Sequence, residues 1–119
     1  MTHYDVFNGD ADGICALQQL RLARPRTSTL VTGVKRDNAL LARVNAGAGD
    51  TVTVLDVSYR RNGDDVERLL AAGARICYID HHDPGAVAEH PRLETHIDTA
   101  PWMSTGLIVD RLLGGAHRD

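Results

Sequence analysis

Four short apolar runs, YDVF (4–7), STLVTGV (28–34), TVTVLDV (51–57) and RICYID (75–80), are separated by segments whose apolar residues recur at helical spacing. Runs of this length, nearly continuous in apolar residues, suit strands covered on both faces. The segments between them, GICALQQLRLAR (13–24), NALLARVNA (38–46) and DDVERLLAAG (64–73), read as helices, and STGLIVDRLL (104–113) as a fourth. Punctuation agrees: Pro25 stops the first helix, Asp37 caps the second, Gly47 and Gly49 end it, and Gly73 stands where a C-terminal glycine belongs. Strict alternation of strand and helix predicts an α/β fold, a doubly wound and mainly parallel sheet with helices on both faces and right-handed crossovers. The stretch 83–103 breaks the rhythm with Pro84, Pro91 and Pro101, and LETHI (93–97) within it is expected as an edge strand.

At 119 residues, one domain covering 1–119 is expected. No apolar run reaches the ~20 residues of a membrane span, and the polar, acidic start is unlike a signal peptide, so the expected location is cytoplasmic, away from membranes. Cys15 and Cys77 each sit in an apolar segment and are read as small core hydrophobes. A net charge of −3 provides no field for a polyanion, which disfavours duplex nucleic acid as a partner.

The chemistry gathers at the strand ends, where open α/β sheets bind their ligands. The first strand runs into Asn8, Gly9, Asp10, Ala11, Asp12 and Gly13, the third ends in Asp56, Val57 and Ser58, and the fourth in Asp80, His81, His82 and Asp83. Carboxylates held together repel, and a proton or a cation must relieve them. Oxygen donors with one or two imidazoles suit Mn²⁺ first and Mg²⁺ second, ahead of Zn²⁺. Local readings exist for each residue: Asp10 and Asp12 as helix caps, Asp56 as a turn residue, His81 and His82 as a surface pair. Acidic or imidazole groups on three strand ends of one edge favour the joint reading.

VFNGDADGICAL, LDVS and IDHHDP, in this order and at this spacing, resemble the first three motifs of the DHH phosphoesterase superfamily, and HIDTAPWMSTGLIVDRL is similar to the segment that follows them there. The resemblance spans nearly the whole chain. It implies a Rossmann-like DHH domain that hydrolyses a phosphodiester or other phosphate ester with divalent metal, two ions being expected. Carried over by residue, Asp10, Asp12, Asp56 and His81 are metal ligands, with Asp56 bridging. His82, with Asp80, has the catalytic position beside the phosphate. Asn8 stands where several branches carry a charged or imidazole ligand, and is a ligand here through its amide oxygen. A fourth motif with a further Asp, and a smaller substrate-binding domain, are not found, so the domain is expected to be partial and weakly active alone. Asp98 and Asp110 lack that motif's context, and Asp110 is read as a solvated helix residue.

Arg36 beside Lys35, Arg60 beside Arg61, and Ser104 at the start of the last helix are the candidate substrate-binding groups. Ser104 has the plain alternative of an N-cap. Trp102 is read as a packing residue, His96 as an outside candidate for the site, and His3, His90 and His117 have no evident partner. The expected substrate is small and phosphorylated, such as a dinucleotide or short oligonucleotide, and a homo-oligomer is compatible with the sequence. Metal-activated water is the expected nucleophile, since no Ser-His-Asp or P-loop pattern is present. The alternative is a non-catalytic metal- or nucleotide-binding regulatory module of the same fold. A dinucleotide-binding domain fits worse, because FNGDADG lacks GxGxxG spacing.

Overall fold

A computed structural model describes residues 1–33 and 39–114. Five parallel strands, β1 (His3–Asn8), β2 (Thr29–Gly33), β3 (Thr51–Leu55), β4 (Arg75–Asp80) and β5 (Leu93–Ile97), form one sheet in the order β2-β1-β3-β4-β5. Helices α1 (Ala11–Ala23), α2 (Tyr59–Ala71) and α3 (Thr105–Leu112) complete the chain with a 3-10 turn at Leu40–Arg43. The α/β expectation holds, and LETHI is the edge strand β5, paired with β4 from Ile76↔Leu93 to Asp80↔Ile97.

Alternation along the strands divides the core. Val6, Val52, Val54, Ile76 and Tyr78 face α2 and the 3-10 turn, with Val66, Leu69 and Leu70 of α2 packed on them. Phe7, Leu55 and Ile79 face the other way, onto Ala16 and Leu20 of α1 and Ile108 and Val109 of α3. Burying such side chains contributes roughly 1.5–3 kcal/mol each, which is why both faces are covered.

Two element expectations need correction. Residues 38–46 were expected to be helical, yet the described part is only the turn Leu40–Arg43, begun at Ala39 without a side-chain cap. Leu40, Leu41, Val44 and Ala46 are all buried while Ala42, Arg43 and Asn45 are exposed, so the segment lies along the core with one side to solvent. Beyond the two bonds of the turn itself, its backbone is satisfied by α2: Asn62 accepts from the Leu41 N–H, and Arg68 donates to the carbonyls of Leu41 and Val44. Asp37, the expected cap, and Asn38 lie outside the described residues.

Helix α2 begins at Tyr59 rather than Asp64. Tyr59, Asn62, Val66, Leu69 and Leu70 are its buried positions, a helical period masked in the sequence by the buried amide of Asn62 and by the charged residues around it. Its end is as expected: Gly73, at φ +98°, donates to the Leu70 carbonyl while Ala74 reaches Leu69, a Schellman pair. No helix among the described residues is long and apolar enough to cross a membrane.

Candidate metal and phosphate site

The strand order turns back between β1 and β3: the chain leaves β1 for β2 on one side and returns to β3 on the other. In open α/β sheets this reversal opens a crevice beyond the carboxyl ends of the strands. Asp10 and Asp12 follow β1, Asp56 follows β3, and His81 and His82 follow β4, so the topology delivers all five to that edge.

Each is held by identifiable bonds. Asp10 caps α1, accepting from the Gly13 N–H at 3.0 Å. A Cβ on Gly13 would meet the Asn8 carbonyl oxygen at 2.1 Å, so glycine there lets α1 close against the end of β1. Asn8 turns its amide oxygen to the Asp10 N–H at 3.3 Å. Asp56 has φ +63°, the one non-glycine residue with positive φ among those described, and is 2 % exposed. Strain of this kind costs on the order of 1 kcal/mol or more and persists where surrounding structure enforces it. Here the Asp56 N–H bonds the Ile79 carbonyl and the carboxylate accepts from the Thr105 hydroxyl at 3.1 Å.

His81 Nε2 lies 3.1 Å from Asp56 Oδ1 and 3.5 Å from Asp12 Oδ2, joining β1, β3 and β4 at one point. Its ring stands 4.3 Å, centroid to centroid, from that of His82. His82 Nδ1 in turn bonds Asp80 Oδ1 at 2.8 Å, and Asp80 Oδ2 is buried without a hydrogen-bond partner. Asp56, Asp80, His81 and His82 each offer a ligand atom within 4.8 Å of the others.

The electrostatics are those of an unbalanced acid cluster. Burial pushes the Asp56 carboxyl up to about 8, assisted by the Asp12 charge and by the Asp10 carboxyl against it, with the Thr105 hydroxyl pulling the other way. Burial raises Asp80 as well, tempered by His82 and His81.

Thr105 and Gly106 follow Ser104 at the helix start whose free N–H groups are expected to hold an anion, and the anion they meet is Asp12. Their N–H groups, at the start of α3, grip the two oxygens of Asp12 at 3.1 and 2.9 Å. The anion-holding end of α3 is thus spent on the chain's own carboxylate. Ser104, expected to bind substrate, is the cap of α3 and accepts from the Leu107 N–H at 3.1 Å. The signal was present in the Ser-Thr-Gly at the helix start, but its partner lies 93 residues away in sequence.

Arg60 pairs with Asp83 at 3.1 Å in an exposed contact. Arg61 is exposed beside it, and Lys35, Arg36 and His117 lie outside the described residues. Further expectations change on folding. Cys15 is exposed rather than in the core, and Cys77 is half-buried. Trp102 is 63 % exposed with Arg111 5.0 Å over its ring, because the turn before α3 carries it outside both cores. Asp110 is buried rather than solvated, on a helix that packs against α1. His3 contacts Thr51, and His90 accepts from the Arg92 N–H. Asp98 accepts from the Ala100 N–H. Among known proteins, the chain matches no family model and no curated protein.

Proposed function

We propose that this chain is the metal-binding domain of a DHH-type phosphoesterase, hydrolysing a phosphodiester or other phosphate ester. The observation that carries this reading is the convergence of Asp12, Asp56 and His81 at the switch point, with Asp56 buried and raised to about 8. Such a carboxylate needs a proton or a cation, and three carboxylates, an imidazole and an amide oxygen suit Mn²⁺ or Mg²⁺. Asp10, Asp12, Asp56 and His81 would hold up to two ions, with Asn8 as a neutral oxygen donor. When bound, divalent ions lower the pKa of water and balance charge on phosphoryl oxygens. Asp80 orients His82 through Nδ1, which leaves Nε2 to exchange a proton or hydrogen bond with a substrate phosphate. Thr105 and Gly106 keep Asp12 and Asp56 from turning away.

One observation favours the non-catalytic module as a second reading. Two divalent ions bring about four positive charges, against the three formal charges of Asp10, Asp12 and Asp56, while Asn8 adds none and already serves the Asp10 N–H.

Calorimetric Mn²⁺ titration, paired with hydrolysis of bis-p-nitrophenyl phosphate, tests the proposal. The expected outcome is Mn²⁺ binding that falls about tenfold or more in His81→Ala. In His82→Ala, Mn²⁺ still binds and hydrolysis is lost. Mn²⁺ binding with no hydrolysis in the wild-type chain would favour the module, and equal Mn²⁺ affinity in wild type and His81→Ala would overturn the metal assignment.

A further inference from the structure

On the α1 and α3 face, a polar row crosses the lower half of the sheet: Asp5, Thr53, Cys77 and Glu94 are register partners in four adjacent strands, β1, β3, β4 and β5. A strand face beneath two helices is ordinarily apolar, as the next row up shows with Phe7, Leu55 and Ile79. Two members of the polar row have their own partners. Asp5 takes a two-bond grip from Arg21, and Thr53 accepts from Arg26 at 2.8 Å. The other two turn toward each other and toward His96.

Cys77 Sγ lies 3.7 Å from Glu94 Oε2, and His96 Nε2 lies 2.5 Å from the same oxygen. All three ligand atoms fall within 4.8 Å of one another. Tetrahedral bonds of about 2.3 Å to sulfur and about 2.0 Å to nitrogen or oxygen separate ligand atoms by roughly 3.3–3.5 Å. The sulfur–oxygen spacing is already close to that. The imidazole and carboxylate need to part by less than about 1 Å to meet the same geometry, and the Glu94 side chain, 67 % exposed, is free to turn. The backbone is fixed, because the Cys77↔Glu94 and Ile79↔His96 pairings hold both strands in register.

We propose that Cys77, Glu94 and His96 form a second divalent-metal site, distinct in its donors from the acid cluster and suited to a zinc-type ion. Thiolate, imidazole and carboxylate are the donor types that borderline-soft zinc accepts, whereas Mn²⁺ and Mg²⁺ prefer oxygen-rich sets without a thiolate. Three protein ligands leave one coordination position open. That position faces a cavity of about 420 Å³ lined also by Arg21, Arg24 and Arg26, through which an ion and a water can enter. Two anionic ligands balance a dication, so the arginines along the cavity confront a neutral centre rather than a net positive one. His96 thus belongs to a site of its own, and Cys77 is a ligand rather than a packing residue.

The test uses the reduced, metal-free full chain titrated with Co²⁺ and then with Zn²⁺. A thiolate-to-cobalt charge-transfer absorption is expected in wild type and in Cys15→Ser, and absent in Cys77→Ser. His96→Ala, a change on the edge strand, should weaken Zn²⁺ binding about tenfold or more while leaving the thermal midpoint of the metal-free protein in place. This second variant keeps the test decisive if Cys77→Ser folds poorly. No thiolate band in wild type, a band that disappears with Cys15 instead of Cys77, or wild-type Zn²⁺ affinity in His96→Ala would each overturn the proposal.

Discussion

Asp5 and Asp56 are both buried carboxylates of adjacent strand segments, 0 % and 2 % exposed, and the chain treats them in opposite ways. Around Asp5, burial pushes the pKa upward, but Arg21, Ser28 and the charge of Arg26 together bring it below the usual value. Around Asp56, burial is reinforced by Asp12 and Asp10, and the carboxyl rises to about 8. The first carboxylate is neutralised by cations the chain carries, and its role is complete within the fold. The second is surrounded by its own kind and held in a left-handed backbone. A buried carboxyl left without a cation in this way costs stability when it ionises, and it holds its proton instead.

The largest effect is expected where the compensated carboxylate is stripped of its partner. Arg21→Ala leaves Asp5 buried and alone, and losing one member of such a pair typically costs about 3–5 kcal/mol. Urea denaturation at neutral pH should show a loss of that order. A change below about 1 kcal/mol would mean that Ser28 and Arg26 suffice, and that the two sites differ less than the geometry implies.

The second effect concerns pH. The folded pKa of Asp56 is raised to about 8, so its contribution to stability is full below its ordinary value of 3.8 and is lost as pH rises toward about 8. Metal-free protein should therefore weaken by an amount on the order of a few kcal/mol across that window, and Asp56→Asn should flatten the slope. Asp5 has the opposite sign: its folded pKa is lowered from 3.8, so its contribution is present above that value and is lost as pH falls through the folded pKa. Urea midpoints at several pH values in chelator check both limbs. An Asp56→Asn profile as steep as wild type would show that another group governs the alkaline limb.

The smallest effect sharpens the role of α3. Ser104→Ala removes the cap on Leu107 and should cost about 1 kcal/mol of stability, with Mn²⁺ affinity nearly unchanged because Asp12 is gripped by the N–H groups of Thr105 and Gly106. A loss of Mn²⁺ binding larger than about tenfold would mean that the α3 end responds as a unit, since that factor corresponds to about 1.4 kcal/mol.

Much of the fold was legible because strand runs and helix periods are local signals. RICYID and LETHI appear as strands at their expected bounds, and α1 and α3 begin after Asp10 and Ser104, both caps. The misreadings share a physical cause. Residues 39–46 close only a 3-10 turn of their own and lean on Asn62 and Arg68 for the Leu41 N–H and the carbonyls of Leu41 and Val44, and α2 hides its first turn behind a buried amide. Neither fact has a local signature.

The candidate site divides in the same way. Asp10, Asp12, Asp56, His81 and His82 were visible in the sequence, because a short acidic or imidazole segment after an apolar run survives any rearrangement elsewhere. That Thr105 and Gly106 hold Asp12, that Asp80 holds His82, and that Asp56 is raised rather than lowered required the tertiary structure. So did the meeting of Cys77, Glu94 and His96, because Cys77 reads as core in one strand while Glu94 and His96 lie in a separate edge strand. By itself, the sequence determined the alternation of strand and helix and the donor atoms delivered to the sheet edge, since both depend on residue type and spacing along the chain. Which carboxylate finds an arginine and which finds only other carboxylates was decided by packing, because charge balance in a low-dielectric interior is set by neighbours in space.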